Sequence, residues 1–326
     1  MRGLGARGLG SEEPTAAPVG RVSVETRWAA ILAGGDGTRL RTFTRQLTGD
    51  DRPKQFCRIL DGATLLDQTR RRVERSVRAD KTLIVVTRAH EEYYAPLMRE
   101  LGPGALVVQP ENRGTAPAIL YTLERLRLVA PEASVAFFPS DHYVADDDRF
   151  MAHVDAAFVA VAARPGRIVL LGVEPDRPET TYGWIEPGAA EPGRRDGTPV
   201  FTVRRFWEKP PRRIAAQLQA KGCLWNSFVM VSRVATLWSA LGRTVPELVR
   251  AFVPLHRFLG SALEASIARA VYSRLSSTDF SRRVLAESAG HLAVLPVRGV
   301  AWNDLGDPGR VIETCRAVAS RLAAFT

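Results

Sequence analysis

The chain has 326 residues, enough to bury a core without disulfides or metal, and its 45% hydrophobic and 25% charged content is ordinary for a folded protein. These values exclude disorder, collagen and coiled coil, and no apolar run approaches the roughly 18 residues a membrane span needs. The net charge is +10, but of 45 basic residues only Lys54, Lys81, Lys209 and Lys221 are lysines, leaving 41 arginines.

An arginine bias of that size reads as compositional background. Its corollary is that a lysine persisting in such a chain marks a place where a guanidinium would not serve. The arginines are spread along the sequence, and the doublets Arg71-Arg72 and Arg282-Arg283 are expected on outer helix faces, which argues against nucleic-acid binding. Three scattered cysteines, Cys57, Cys223 and Cys315, suit a reducing cytoplasm, and the five histidines contain no pair at zinc-ligand spacing.

In chain order, residues 1–26 are rich in Gly, Arg, Ser and Pro and lack an apolar h-region, so they read as a disordered leader rather than a secretory signal. Residues 27–326 read as one domain. The apolar run 28–32 predicts a buried strand ended by Gly34-Gly35. A helix over 65–78 follows, with Leu66, Val73 and Val77 on one stripe and Arg70, Arg71, Arg75 and Arg78 pointing elsewhere. Then come a strand over 82–86, a helix over 91–101, a strand over 105–108 and a helix over 115–129. Thr115 is expected to cap that helix, with Pro117 tolerated in its first turn. A strand over 134–138, a helix over 150–163 and a strand over 168–172 complete the alternation. The pattern predicts an α/β fold with a Rossmann-like mixed, mostly parallel sheet flanked by helices. Beyond Gly172, paired strands over 182–186 and 200–207 surround a Gly/Pro/Arg loop, giving an inserted, substrate-facing sheet. A helix over 211–220, a strand over 228–232 and a mostly helical tail with a strand over 291–297 follow.

Ligands in open parallel sheets bind at the carboxyl ends of strands. The run Leu32-Ala33-Gly34-Gly35-Asp36-Gly37-Thr38-Arg39-Leu40 follows the first strand, so its backbone N–H groups could approach a phosphate that Arg39 neutralises. It is not a Walker A loop, since no Gly-Lys-Ser/Thr follows, and Leu40 stands where a dinucleotide fingerprint needs its third glycine. A plain strand–helix turn is the alternative; the nearby Arg52-Pro53-Lys54-Gln55-Phe56 favours the phosphate.

Together with Pro53-Lys54-Gln55-Phe56, that loop resembles the signature of the sugar-1-phosphate nucleotidyltransferases, and the Lys-Gln-Phe form is similar to the mannose-1-phosphate guanylyltransferase branch. Gln109-Pro-Glu-Asn-Arg-Gly-Thr-Ala-Pro-Ala118, Phe138-Pro-Ser-Asp-His142, Pro178-Glu-Thr-Thr-Tyr-Gly183, Glu208-Lys-Pro210, Trp225-Asn-Ser227 and Trp302-Asn-Asp304 follow in the family's order. The resemblance covers about 28–316. It implies a nucleotidyltransferase fold similar to glycosyltransferase-A enzymes, and transfer of a guanylyl group from GTP to mannose 1-phosphate.

By the same resemblance, Ala33, Gly34, Gly35, Gly37, Thr38, Gln109, Asn112, Arg113, Gly114 and Thr115 would bind the nucleotide. Arg39, Lys54 and Lys209 would be the catalytic cations, Lys54 near the triphosphate and Lys209 near the sugar phosphate. Tyr182, Gly183, Glu208, Lys209 and Asn226 would hold the hexose phosphate. The reaction joins two polyanions, so it needs cations and a metal more than a protein nucleophile. Asp141, just beyond a buried strand, and Asp304 would hold Mg²⁺ with phosphate oxygens and water. Turn-capping remains the alternative for Asp141, loop support for Asn226 and a surface position for either lysine. His142 reads as a neighbour of the metal aspartate rather than a base.

The chain departs from the family pattern at Thr42, where proline is usual, and at Thr181 and Phe228, where glycine is common. Ser277-Thr278-Asp279-Phe280 replaces the usual Ser-Ile-Asp-Tyr. The sugar-side changes keep a different hexose 1-phosphate or base in play, and a non-catalytic nucleotide-sugar-binding regulator is the rival from another class. The sequence predicts no nucleic-acid or membrane partner and leaves a homodimer open. No left-handed β-helix or cupin-like extension is expected after the transferase core.

Overall fold

The structure, a computed structural model, describes residues 27–60, 62–191 and 198–323. The expected leader, 1–26, and most of the Gly/Pro/Arg loop, 192–197, lie outside the described residues.

The first half alternates strands and helices. β1 (Arg27–Leu32), α1 (Arg41–Thr48), α2 (Leu65–Val73), β2 (Thr82–Thr87), α3 (Glu91–Leu101), β3 (Leu106–Gln109), α4 (Thr115–Val129), β4 (Ser134–Pro139), the two-residue β5 (Tyr143–Val144), α5 (Asp147–Ala163) and β6 (Ile168–Val173) follow in order. The second half holds β7 (Gly183–Ala190), β8 (Phe201–Glu208), α6 (Arg212–Ala220), β9 (Leu224–Arg233), α7 (Val234–Thr244), α8 (Pro246–His256), α9 (Glu264–Tyr272), β10 (Leu292–Val297), the short β11 (Trp302–Asn303) and α10 (Pro308–Ala323).

The sheet order is β3-β2-β1-β4-β9-β6-β10-β8-β7, with β7 also pairing to β9. β8 and β9 run against the other strands. The hairpin expected as an insertion therefore continues the main sheet through β10, and the pairings β6–β10–β8–β7–β9–β6 close a small ring. β1, β2 and β4 are nearly continuous apolar runs because both their faces are covered. Alternation along them divides the core. Ala30, Val85 and Phe137 pack with α4, α7 and α8 on one face, while Ile31, Val86 and Phe138 pack with α2, α3 and α5 on the other.

Three local expectations change. α2 ends at Val73, and Arg72, expected on an outer face, is buried with its Nε 2.5 Å from Asp147. α5 starts at Asp147 because Asp146 supplies a side-chain cap that accepts from the Arg149 N–H. Thr115 is the first residue of α4 rather than its cap; Gly114 precedes the helix at φ +88°, and the Thr115 hydroxyl instead accepts from the Phe280 N–H at 2.9 Å.

Candidate functional site

The carboxyl ends of β1, β3 and β4 open onto one cleft of about 430 Å³, which the β7–β8–β9 ring bounds on its far side. Among the residues singled out from the sequence, Gly34, Gly35, Arg39, Gln109, Asn112, Gly114 and Thr115 line it from the first three strands' side. Asp141, Tyr182, Gly183, Glu208, Lys209, Asn226 and Asp304 line the remainder. Ala33, Gly37, Thr38, Lys54 and Arg113 do not: Ala33 is buried at the end of β1, Thr38 is exposed, and Arg113 pairs with Glu111 at 2.9 Å.

The glycine loop is braced from below. The Gln55 side-chain amide donates to the Ala33 and Gly35 carbonyls at 2.9 and 2.8 Å, and the Thr87 hydroxyl donates to the Gly34 carbonyl at 2.8 Å. A Cβ at Gly34 would lie 2.5 Å from the Gln109 amide nitrogen and 2.8 Å from the Thr87 hydroxyl, so a larger residue there would displace the side chains that the loop presses against. Arg39 projects from this loop, exposed and without a carboxylate partner among the described residues. Across the cleft mouth, the Asn112 amide holds Asp36 at 2.9 Å and its oxygen accepts from the Gly114 N–H. The Thr278 N–H donates to the Arg113 carbonyl at 2.9 Å. This brings Ser277 and Asp279 of the Ser277-Thr278-Asp279-Phe280 run into the lining, a place the sequence pattern does not assign to them.

Strand register assembles the opposite wall. Gly183 on β7 sits opposite Glu208 on β8, and Trp184 opposite Trp225 on β9, so Gly183, Glu208 and Asn226 lie side by side. Burial pushes the Glu208 carboxyl upward, and the Lys209 ammonium 3.0 Å away opposes the shift. Asn226 also has the local duty considered for it, its oxygen accepting from the Phe228 N–H at 3.1 Å. Phe228 has φ +61° and Lys209 φ +49°, left-handed values costly outside glycine, and both line the cleft. The residue common in related sequences at 228 is the one that this backbone suits best.

The pairing of β5 with β11 brings Asp304 beside the segment that follows β4 and carries Asp141 and His142. Asp304 Oδ1 accepts from the Tyr182 hydroxyl at 2.9 Å, the Gly306 N–H at 2.9 Å and Arg310 Nη1 at 2.7 Å. Burial raises the Asp304 pKa, but His142, Lys54 and Arg310 outweigh it and hold the carboxyl below its ordinary value. Lys54 sits beneath the cleft rather than in its lining. Its ammonium donates to the Asp304 and Leu305 carbonyls at 2.5 and 3.0 Å and lies 3.3 Å from Asp141 Oδ2. His142 packs edge-on against Trp302, its Nε2 3.7 Å from Asp141, and burial pushes its pKa down to about 4.

Among the described residues no group of three or more His, Cys, Asp or Glu side chains is arranged around a cation. Asp141 and Asp304 alone would be a poor cage for Zn²⁺ or Ca²⁺. They suit Mg²⁺, which keeps water and substrate oxygens in its octahedron, and Asp304 Oδ2 has no protein donor among the described residues. Arg310, which holds Asp304, carries no signal in the sequence that separates it from the other arginines, whereas Gln55 and Glu179 fall inside the 53–56 and 178–183 motifs, which give them no separate role.

The family model described as nucleotidyl transferase matches residues 28–321. The xanthan biosynthesis protein XanB of Xanthomonas campestris pv. campestris (strain B100) is 30% identical over 286 residues, which cover 85% of this chain and 56% of XanB. A mannose-1-phosphate guanylyltransferase of Sinorhizobium fredii (strain NBRC 101917 / NGR234) is 30% identical over 291 residues, covering 85% of this chain and 52% of its own. The chain thus spans about half the length of these curated relatives. A crystal structure from Thermus thermophilus, described as a mannose-1-phosphate geranyltransferase, superposes with a TM-score of 0.73 at 31% identity over 86% of this chain and 76% of that one.

Proposed function

Because the chain belongs to the nucleotidyl transferase family, we propose that it transfers a guanylyl group from GTP to mannose 1-phosphate, releasing pyrophosphate and forming GDP-mannose. The observation that carries this reading is the joining, in one cleft, of a glycine loop with the exposed Arg39, two carboxylates and a wall of hydrogen-bonding groups. In sheet order Asp141 lies between the β1 loop and the β9–β8–β7 wall, the two places this reading gives to the triphosphate and the sugar phosphate.

In the reaction a phosphate oxygen of the sugar 1-phosphate bonds to the α-phosphorus as the bond to the β-phosphate oxygen breaks and pyrophosphate leaves. Arg39 and the amides of Gly34 and Gly35 would bind the triphosphate, while Gly114 and Thr115 close the base side. Glu208 and Asn226 would accept and donate hydrogen bonds to the hexose, and Lys209 would neutralise its phosphate. Holding both reactants in line can contribute roughly 7–11 kcal/mol. Mg²⁺ held by Asp141 and Asp304 would neutralise the charge gathered on the phosphates. Lys54 would keep both carboxylates in register from below instead of touching substrate. Three unpaired cysteines support a cytoplasmic setting, and among the described residues no helix is long and apolar enough to cross a membrane.

A matrix of four nucleoside triphosphates against several sugar 1-phosphates, read by pyrophosphate release with Mg²⁺ present, tests the proposal. GTP with mannose 1-phosphate should give the highest kcat/KM. Turnover by a different pair would reassign the substrates, with Phe228 and Thr181 the residues to credit, and no turnover by any pair in a folded sample would sink the reading.

A further inference from the structure

Arg310, in the first turn of α10, is only 7% exposed, deep burial for a guanidinium. Its fork faces two ways. Nη1 donates to Asp304 Oδ1 at 2.7 Å; Nη2 donates to the Thr181 hydroxyl at 2.8 Å and lies 2.5 Å from the Glu179 carboxylate. Nε is 3.1 Å from Asp307, and the guanidinium stacks 4.6 Å above the Tyr182 ring. Glu179 in turn accepts from the N–H groups of Thr180 and Thr181 at 2.8 and 2.9 Å and from the Thr181 hydroxyl at 3.0 Å. The turn at 179–181 is therefore fastened to Asp304 through one planar cation, a geometry an ammonium cannot copy. A glycine at 181 would lack the hydroxyl that both accepts from Arg310 and donates to Glu179.

The consequence for Asp304 is orientational. Three donors fix Oδ1 and leave Oδ2 with no protein donor among the described residues, and a Cβ at Gly306 would lie 2.6 Å from Oδ2. We propose that Arg310 is a positioning residue that couples the conformation of the 179–181 turn, through Thr181 and Glu179, to presentation of Asp304 Oδ2 to the divalent cation. The inference rests on the nucleotidyl-transfer reading for its kinetic arm but not for its metal arm. A change that loosens the 179–181 turn or removes the guanidinium should then weaken cation binding at Asp304.

The test uses the full chain with Arg310→Ala, Arg310→Lys, Thr181→Gly and the double variant Thr181→Gly/Arg310→Ala. Mn²⁺ binding, read by water-proton relaxation without nucleotide or sugar, should weaken at least about tenfold in Arg310→Ala, the loss expected of an outer partner of a metal ligand. Arg310→Lys should fall between Arg310→Ala and wild type. Thr181→Gly should leave KM for GTP unchanged and raise KM for the sugar 1-phosphate, and this effect should vanish in the Arg310→Ala background. Unchanged Mn²⁺ affinity in a folded Arg310→Ala or Arg310→Lys protein, no Mn²⁺ binding by the wild type, or a full Thr181→Gly effect in the double variant would each overturn the proposal. If the wild type binds Mn²⁺ but turns over no substrate pair, the functional reading fails and the Mn²⁺ comparison still decides the role of Arg310.

Discussion

The Lys54 ammonium is enclosed by the carbonyls of Asp304 and Leu305 and by the Asp141 carboxylate, whereas Lys209 is half-exposed and pairs with Glu208. Three acceptors around one nitrogen match a tetrahedral ammonium, and a planar guanidinium cannot satisfy them without pushing Asp141 or the Asp304–Leu305 backbone aside. Lys54→Arg should therefore lose about 100-fold or more in kcat, the penalty of a misplacement near 1 Å, and should lower Tm. Lys209→Arg keeps its charge at a wet rim and should lose about tenfold or less, ~1.4 kcal/mol. Steady-state kinetics with thermal melts compares the two; equal losses, or wild-type rates in both, would show that the enclosure does not matter. The scarcity of lysine did point to both residues, but it could not tell a buried brace from a rim cation. Arg310 was invisible for the converse reason: one arginine among 41 gives no signal, and its partners Asp304, Thr181 and Glu179 are brought to it only by folding.

At the scale of elements, β7, β8 and β9 form the wall assigned here to the sugar, and Gly183 is a point of close approach within it. A Cβ there would lie 2.8 Å from Phe206 Cζ, 3.1 Å from a Glu208 carboxylate oxygen and 3.3 Å from Asn226 Cβ. Gly183→Ala should cost about 1–3 kcal/mol of stability, the usual penalty of overpacking, and raise KM for the sugar phosphate while leaving that for GTP unchanged. An unaltered melt and an unaltered sugar KM would show that the wall yields freely. The strands covered on both faces were legible because their apolar runs are unbroken, as in Ile84, Val85 and Val86. The full length of β9 is hidden in the sequence because Asn226 and Ser227 interrupt its apolar run, although both are buried, Asn226 accepting from the Phe228 N–H and the Ser227 hydroxyl donating to the Leu171 carbonyl of β6. α1 escaped notice since Phe43 and Leu47 are its only large apolar residues, too few for a stripe, and β5 and β11 have only two residues each. Yet that last pairing carries Asp304 to the vicinity of Asp141, a proximity that the family resemblance implies and no periodicity does.

For the whole molecule, acid sensitivity follows from groups held neutral in the folded state. Burial depresses His142 from 6.5 to about 4 and also lowers His90, so between those values the unfolded chain binds protons that the native one refuses. Stability should fall as pH drops from about 6.5 toward 4. Asp304, also depressed, withdraws its contribution only below the ordinary carboxylate range, and Glu208, raised by burial, works in the opposite sense. His142→Phe, which retains a ring against Trp302, should flatten the dependence of Tm on pH across this window without abolishing it, because His90 remains. An unchanged slope would remove His142 from the account. The +10 charge plays no comparable role: Arg72 is buried against Asp147, and Arg75 is spread over Asp147 and Asp148. What matters electrostatically is the local set around the cleft, where Arg39 has no carboxylate partner among the described residues, Lys54 is enclosed, and Asp141 and Asp304 line one cleft. The most direct measurement is pyrophosphate release from GTP and Mg²⁺ on addition of mannose 1-phosphate, in the wild type and in a folded Asp141→Asn variant. Release that depends on the sugar phosphate and is lost in the variant is the predicted result; release without the sugar phosphate, or undiminished release from Asp141→Asn, would contradict it.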